Sequence, residues 1–279
     1  MNKHSLIYAT LLTVLSACSG GSASRYDKPV LLASIEPEAV VLKEIAGPGY
    51  DVVTLLDRGN DPETFEPGTA KLRESSRASV YFATGLLPFE EKIIEMLPDS
   101  INVFVVSKNI PLITGSHGDK HNHDADPHIF NSFVNLQVVA SNICQHLSEL
   151  NPDSAAVYDE RCQTLNAQFE EKSSALDSLL RGRAFGVWHP SLSYLARDYG
   201  MLQIAVGVEN KESGTRQMRQ AIDMLRENSV NVIFYEDEGQ RARVEAIASG
   251  AGARAIELRL LSSDFINQLN QAANEIVRP

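Results

Sequence analysis

Eight short apolar runs alternate with amphipathic helical segments, and one long helical stretch divides them into two groups of four. The runs are PVLLAS, DVVTLL, SVYFAT, NVFVVS, AFGVWH, LQIAVG, VNVIFYE and RAIELR. Alternation of this kind predicts parallel sheets covered by helices, because each parallel connection has to cross over its sheet. We therefore predict an α/β protein of two lobes, each with a roughly four-stranded, mostly parallel sheet flanked by helices.

The dividing stretch, residues 151–181, predicts a single helix that bridges the lobes. Asn151-Pro152 is a favourable helix start, and Arg181-Gly182 ends the pattern. One stripe recurs at helical spacing and consists of Tyr158, Cys162, Leu165, Phe169, Leu176 and Leu179. At 1.5 Å per residue the helix is roughly 40 Å long, enough to cross a small domain. We expect a rigid connection between an N-terminal lobe (28–150) and a C-terminal lobe (182–279), with small closing motions.

The first residues have the features of an export signal. Lys3 precedes an apolar segment that is too short to cross a bilayer permanently, which is typical of a secretory signal peptide. Leu15-Ser16-Ala17-Cys18 resembles a bacterial lipobox, which predicts cleavage after residue 17, lipidation of Cys18 and a linker over 18–27. The expected location is the periplasmic face of a bacterial membrane, held by a lipid anchor. An ordinary signal peptide with an incidental cysteine is the alternative.

Charge and cysteine content limit the partners. The net charge of −11 argues against nucleic acid and mildly favours cations. Cys144 and Cys162 lie on helical apolar faces, and either a disulfide or two buried thiols fits the sequence. We expect a monomer.

The positions of the strand ends indicate four candidate metal-binding residues. In open α/β sheets, small molecules and ions bind beyond the carboxyl ends of the strands. His189 follows AFGVW, Glu236 ends VNVIFYE, Glu63 lies beyond DVVTLL, and His128 precedes a helix of the first lobe. Imidazole nitrogen and carboxylate oxygen suit Zn²⁺, Mn²⁺ or Fe²⁺, with imidazole favouring zinc. Each residue also has a structural alternative, namely a packing histidine, a helix cap for Glu63 or a solvated turn for Glu236.

The stretch GSHGDKHNHDADPHIF, residues 115–130, contains four of the seven histidines. His117, His121 and His123 lie among polar residues without apolar spacing, which indicates a polar loop. A metallohydrolase signature of the form HxHxDH does not fit, because Ala125 stands where that pattern requires aspartate. His128, in DPHIF, is the histidine of this stretch that we expect in the main site.

Several motifs resemble the zinc/manganese solute-binding lipoproteins of bacterial ABC transporters. They are SIEPEAVVLKEIAG, DPETFEP, YFATGLLPFEE, DPHIFNS, HPSLSYLARDYG and VNVIFYEDEG, and DPHIF and HPSLSYLARDYG are the most specific. The resemblance covers essentially the whole chain after the linker. It implies two α/β lobes bridged by a rigid helix, capture of a divalent metal in the cleft, and delivery to a membrane permease. It also implies that His117, His121 and His123 form an accessory metal-collecting loop of low affinity.

The same resemblance implies that His128 and His189 are ligands, since both match the family motifs. Glu63 stands where the family usually has histidine, which moves the ligand set toward mixed nitrogen and oxygen. Arg259, in ELRL, lies nearest the position of the family's last ligand, an aspartate, and a guanidinium cannot bind a cation. Either Arg259 points away, for example toward Glu63 or Glu236, or Glu236 or water takes the fourth position.

We therefore expect an extracytoplasmic binding protein, not an enzyme, that captures a divalent transition metal, zinc before Mn²⁺ or Fe²⁺, for an ABC transporter permease. Binding should depend on pH, because histidines bind metal in the neutral form. The alternatives are a metal-dependent hydrolase with Glu63 or Glu236 as base, a surface interaction protein that keeps only the fold, and a binder of a chelate or small anion.

Overall fold

The computed structural model describes residues 28–56, 59–114, 125–207 and 214–279. These residues contain two four-stranded parallel sheets, which confirms the predicted α/β class. The first sheet has the order β2-β1-β3-β4 and the second β6-β5-β7-β8. The strands are β1 (Val30–Ala33), β2 (Asp51–Thr54), β3 (Val80–Ala83), β4 (Asn102–Val105), β5 (Ala184–Val187), β6 (Leu202–Ala205), β7 (Val232–Tyr235) and β8 (Arg254–Glu257).

Helices connect the strands and cover the sheets. They are α1 (Glu36–Ala46), α2 (Thr69–Ser75), α3 (Pro88–Met96), α4 (Phe133–Leu150), α5 (Ala155–Leu180), α6 (Ser193–Asp198), α7 (Gly214–Glu227), α8 (Arg241–Ala251) and α9 (Phe265–Val277). In each sheet the chain first moves to one edge and then crosses back over its first strand. The carboxyl ends of all strands in a sheet therefore lie at one edge, where ligands of such sheets bind.

The long helix α5 differs from the prediction at both ends. A 3₁₀ turn over Pro152–Ser154 precedes it, and the Asn151 side-chain amide donates to Ser154 Oγ at 3.0 Å, so the α-helix begins at Ala155. Leu179 does not belong to the buried stripe: it is 47% exposed, whereas Leu180 is 0% exposed. Leu180 lies four residues after Leu176, and the helix ends directly after it, so the last buried position falls one residue later than predicted.

The apolar core runs through both lobes. Helix α5 packs against α1 and α4 of the first lobe and against α9 of the second. Phe133 and Phe169 lie in the same buried cluster as Phe185 and Phe265. A second, smaller cluster packs on the other side of the second sheet, around Leu225, Ile233 and Val244. Separating the lobes would expose this shared core, which is the physical basis of a stiff connection.

Within the residues that the structure describes, none of the helices combines the length and the apolar character needed to cross a bilayer. Cys18 and the three histidines assigned to the collecting loop (His117, His121 and His123) lie outside the described residues.

Candidate metal site

Glu63, His128 and His189 converge at one point, although 126 positions of the sequence separate the first from the last. Each offers one ligand atom, and these three atoms lie within 4.8 Å of one another. Glu63 Oε1 is 3.5 Å from His189 Nε2 and 4.0 Å from His128 Nε2. The two imidazole rings meet edge to face, with centroids 5.0 Å apart. Among the described residues this is the one group of three or more side chains suited to a metal ion.

The loop after β2 presents Glu63. The Asp61 side chain accepts a hydrogen bond from the Glu63 amide at 2.9 Å, and the Asp61 carbonyl accepts one from the Thr64 amide at 3.3 Å. Aspartate commonly forms such a turn by bonding to the backbone two residues further on. This turn directs the Glu63 carboxylate toward the histidines, and no capping hydrogen bond from a side chain is present at the start of α2.

The buried Asp126 orients His128. Asp126 Oδ1 lies 2.9 Å from both the backbone nitrogen and Nδ1 of His128. The Asp126 backbone is held in turn, because its amide donates to the Ile113 carbonyl and its carbonyl accepts from the Tyr194 hydroxyl at 2.7 Å. When Nδ1–H donates to the carboxylate, the Nε2 lone pair is the one available to a metal. Nε2 is also the atom that lies toward Glu63.

His189 follows β5 at the centre of the second sheet. Burial lowers the pKa of His189, but the hydrogen bond to Glu63 and the charges of Glu63, Glu236 and Asp61 outweigh it, so that the pKa is raised. The group therefore attracts positive charge, either a proton on His189 or a metal ion in its place.

Glu236, at the end of β7, stands apart from this group of three. Its carboxylate accepts a hydrogen bond from the Ser191 hydroxyl, and its backbone amide donates to Gln240 Oε1 at 3.3 Å. Its charge nevertheless acts on His189. Glu236 as a metal ligand stays a prediction.

Arg259 pairs with a carboxylate of its own segment. Its side chain is 72% exposed, and Nε lies 3.1 Å from Glu257 Oε1. Neither Glu63 nor Glu236 is the carboxylate that pairs with it in the described residues.

Contacts between the lobes support the site, and the sequence did not predict them. The Tyr194 hydroxyl reaches Asp126, the Asn131 side-chain amide donates to the Ser191 carbonyl at 2.9 Å, and Ser132 bonds to Asp198. The motifs DPHIFNS and HPSLSYLARD supply these residues. The polar residues of these motifs can be seen in the sequence. Which of them form hydrogen bonds with each other depends on how the two lobes approach.

The chemistry of the group is that of cation binding. Two imidazole nitrogens and one carboxylate oxygen are ligands that zinc accepts, and such sites bind zinc with three protein ligands and one further position. The carboxylate adds negative charge, which binding of a divalent ion would offset.

The sequence of this chain is similar to those of known zinc-binding proteins. Residues 31–278 match the family model described as "ZnuA: Zinc-uptake complex component A periplasmic". The chain is 24% identical to the zinc-binding lipoprotein AdcA of Streptococcus pneumoniae over 94% of its own length. It spans only 56% of the length of that relative. It is 25% identical to the high-affinity zinc uptake system protein ZnuA of Bacillus subtilis, covering 91% of this chain and 87% of that protein.

The fold has solved counterparts. A crystal structure of ZnuA superimposes with a TM-score of 0.80 and 31% identity, covering 90% of this chain and 98% of the other. The family model covers both lobes and the helix between them, and it describes a component of an uptake complex rather than an enzyme. The chain therefore belongs to the ZnuA family, whose model is described as the periplasmic component A of a zinc-uptake complex.

Proposed function

We propose that this chain captures a divalent transition metal, zinc in the first place, and delivers it to the membrane permease of an ABC transporter. The observation that carries the proposal is the convergence of Glu63, His128 and His189, whose ligand atoms lie within 4.8 Å of one another. They come from loops of both lobes, so a bound ion would join the lobes as well as the side chains.

Zinc is the preferred ion because two of the three ligands are imidazoles. Glu63 supplies a carboxylate oxygen, which makes Mn²⁺ and Fe²⁺ acceptable competitors. Glu236 and water are the candidates for a fourth ligand. The relatives support zinc through their names, AdcA as a zinc-binding lipoprotein and ZnuA as a zinc uptake protein.

We propose the following arrangement in the cell. Residues 1–17 direct export, Cys18 carries the lipid anchor, and residues 18–27 link it to the metal-binding lobes at the periplasmic face of the membrane. His117, His121 and His123 collect metal with low affinity before it reaches the main site. The protein acts as a monomer toward its permease.

Calorimetry of the mature chain with Zn²⁺, Mn²⁺ and Fe²⁺ tests the function. We expect one tight site for zinc, with weaker binding of the other two ions. His128→Ala and His189→Ala should each lower the zinc affinity by at least a hundredfold, because each removes one of three ligands. His146→Ala is the matched control, since this histidine stacks on Phe104 away from the group.

Tight zinc binding that survived loss of both His128 and His189 would contradict the proposal. A chain without residues 115–124 should keep the tight site. Loss of that site in the deletion would show that the collecting loop, rather than the cleft, holds the metal.

A further inference from the structure

Helices α4 and α5 form an antiparallel hairpin whose facing positions are set by polar contacts. The Gln137 side-chain amide donates to Glu170 Oε2 at 3.1 Å. One turn further along α4, Ser141 Oγ accepts from the Asn166 side-chain amide at 3.2 Å. Four residues forward on α4 thus correspond to four residues backward on α5, as expected for two antiparallel helices packed side by side.

Cys144 and Cys162 occupy the next facing positions of this hairpin. Cys144 lies three residues after Ser141, and Cys162 lies four residues before Asn166. Both cysteines line the same cleft between the two helices, and each thiol influences the pKa of the other. Both are free thiols in the structure, and they are 6% and 7% exposed.

The surroundings distinguish the two sulfurs. Cys144 Sγ donates to Asp159 Oδ1 at 3.2 Å, whereas Cys162 Sγ accepts from the Asn166 side-chain amide at 3.6 Å. Both thiols line a surface cleft of about 630 Å³ between the helices. A small reagent can therefore approach the pair from solvent. Burial raises the pKa of both thiols, but Cys162 Sγ accepts from an amide whereas Cys144 Sγ lies against a carboxylate, so Cys162 is the less disfavoured thiolate.

We propose that Cys144 and Cys162 are a redox modification site, at which a disulfide oxidant converts the two thiols into one intramolecular disulfide that joins α4 to α5. In the first step the Cys162 thiolate attacks the oxidant RSSR, forming a mixed disulfide and releasing RS⁻. In the second step the Cys144 thiol loses its proton, and its sulfur attacks Cys162 Sγ and releases the second RS⁻. The two cysteine protons end on the two RSH products, and two electrons pass from the cysteines to the oxidant.

Two other roles for this pair do not fit. Among the described residues, the pair and Asp159 do not form a group of three ligand atoms close enough for a metal ion. Cys144 is also a poor catalytic nucleophile, because burial and the hydrogen bond to Asp159 raise its pKa to about 12. Disulfide formation remains, and it is favoured in the periplasm, the compartment named for the family.

The bond would strengthen the connection between the first lobe and the bridging helix. Cys144 lies about three turns along α4 from Phe133, the first residue of the helix that follows the His128 loop. A cross-link here restricts the unfolded hairpin and should leave the ligand atoms where they are.

Peptide mapping of the full chain tests the site. The protein is refolded with oxidised glutathione or with dithiothreitol, remaining thiols are alkylated, and the fragments are weighed. We expect the oxidised sample to yield one linked fragment that contains Cys144 and Cys162, which dithiothreitol separates. Recovery of both cysteines as alkylated residues after oxidation would overturn the proposal, and so would a link from either one to Cys18.

Thermal unfolding without metal gives a second readout. The oxidised wild-type chain should melt several degrees above the reduced chain. Cys144→Ser and Cys162→Ser, each measured with and without oxidant, should show no such difference. An oxidant-dependent rise in Tm that persisted in Cys162→Ser would show that another reaction causes it. Because no metal is added, the outcome is independent of the proposed transport function.

Discussion

Asp126 and His128 form a carboxylate–histidine pair in which one oxygen, Asp126 Oδ1, lies 2.9 Å from both the backbone nitrogen and Nδ1 of His128. The carboxylate is fully buried, and its backbone is held by Tyr194 from the second lobe. The pair therefore sets the orientation of the His128 ring before any metal binds. Residues that orient metal ligands in this way are usually important for affinity.

We predict that Asp126→Asn lowers zinc affinity by roughly 10- to 100-fold, as is typical for a lost partner of a ligating histidine. The amide keeps the size of the side chain but loses the charge that favours Nδ1–H. Calorimetry measures the effect, and circular dichroism checks the fold. Asp99→Asn, an exposed aspartate remote from the pair in sequence, is the control and should bind like the wild type.

Glu63 should determine how well the site distinguishes metals. Glu63→Gln removes the negative charge near His189 and should lower the affinity of the site for every divalent ion. Glu63→His adds a third imidazole and should raise the ratio of zinc to manganese affinity, because nitrogen ligands favour zinc. Competition titrations measure the ratio. Glu66→Gln, exposed in the same loop, should leave it unchanged, and an unchanged ratio in Glu63→His would argue against Glu63 as a ligand.

His189 should titrate above its ordinary pKa in the metal-free protein. Burial opposes this shift, but the hydrogen bond and charge of Glu63 and the charges of Glu236 and Asp61 outweigh it. A raised folded-state pKa stabilises the protein below the unfolded-state pKa, and this contribution is lost as the pH rises through the folded-state pKa. NMR titration should show the pKa of His189 falling in Glu63→Gln. Zinc binding should release more protons below this pKa than above it.

The buried carboxyls of Glu38 and Glu90 should make stability depend on pH. Glu38 accepts from the Ser34 amide at 2.9 Å, and Glu90 accepts from the amides of residues 84–87. Burial and the charge of Glu90 raise the pKa of Glu38 well above its usual value. Its stabilising contribution is therefore present at low pH and is lost as the pH rises through the raised pKa.

Urea unfolding of the wild type and of Glu38→Gln across the pH range tests whether the contribution of Glu38 to stability decreases with rising pH. The stability of the wild type relative to Glu38→Gln should decrease as the pH rises, by about 1.4 kcal/mol for each unit over which the folded protein alone holds the proton. A stability difference that does not change with pH would mean that the pKa of Glu38 is the same in the folded and unfolded protein. Glu36→Gln, on the same helix, is the control.

The end of α5 offers a matched pair of leucines. Leu180→Ala removes a side chain that is 0% exposed and should lower the free energy of unfolding by about 2–5 kcal/mol. Leu179→Ala changes a side chain that is 47% exposed and should cost less than about 0.5 kcal/mol. If urea unfolding showed the same loss of unfolding free energy for both variants, Leu180 would not be the buried residue that ends the apolar stripe.

Local patterns determined the fold class and part of the site. The apolar runs that became β1 to β8 can be read from the sequence because each strand is short and buried. His128 and His189 were recognisable because each follows or precedes a regular element in a specific motif. The long helix was also visible, although its last buried residue proved to be Leu180 rather than Leu179.

Only the tertiary structure decided which of the candidates meet. Glu63 lies beside both histidines, Glu236 bonds to Ser191, and Arg259 turns to Glu257. The same holds for Cys144 and Cys162, which line one cleft between α4 and α5. The physical reason is that spacing along the chain specifies the face of a helix or the end of a strand. Distances between distant segments depend instead on how the two lobes and α5 pack around their shared core.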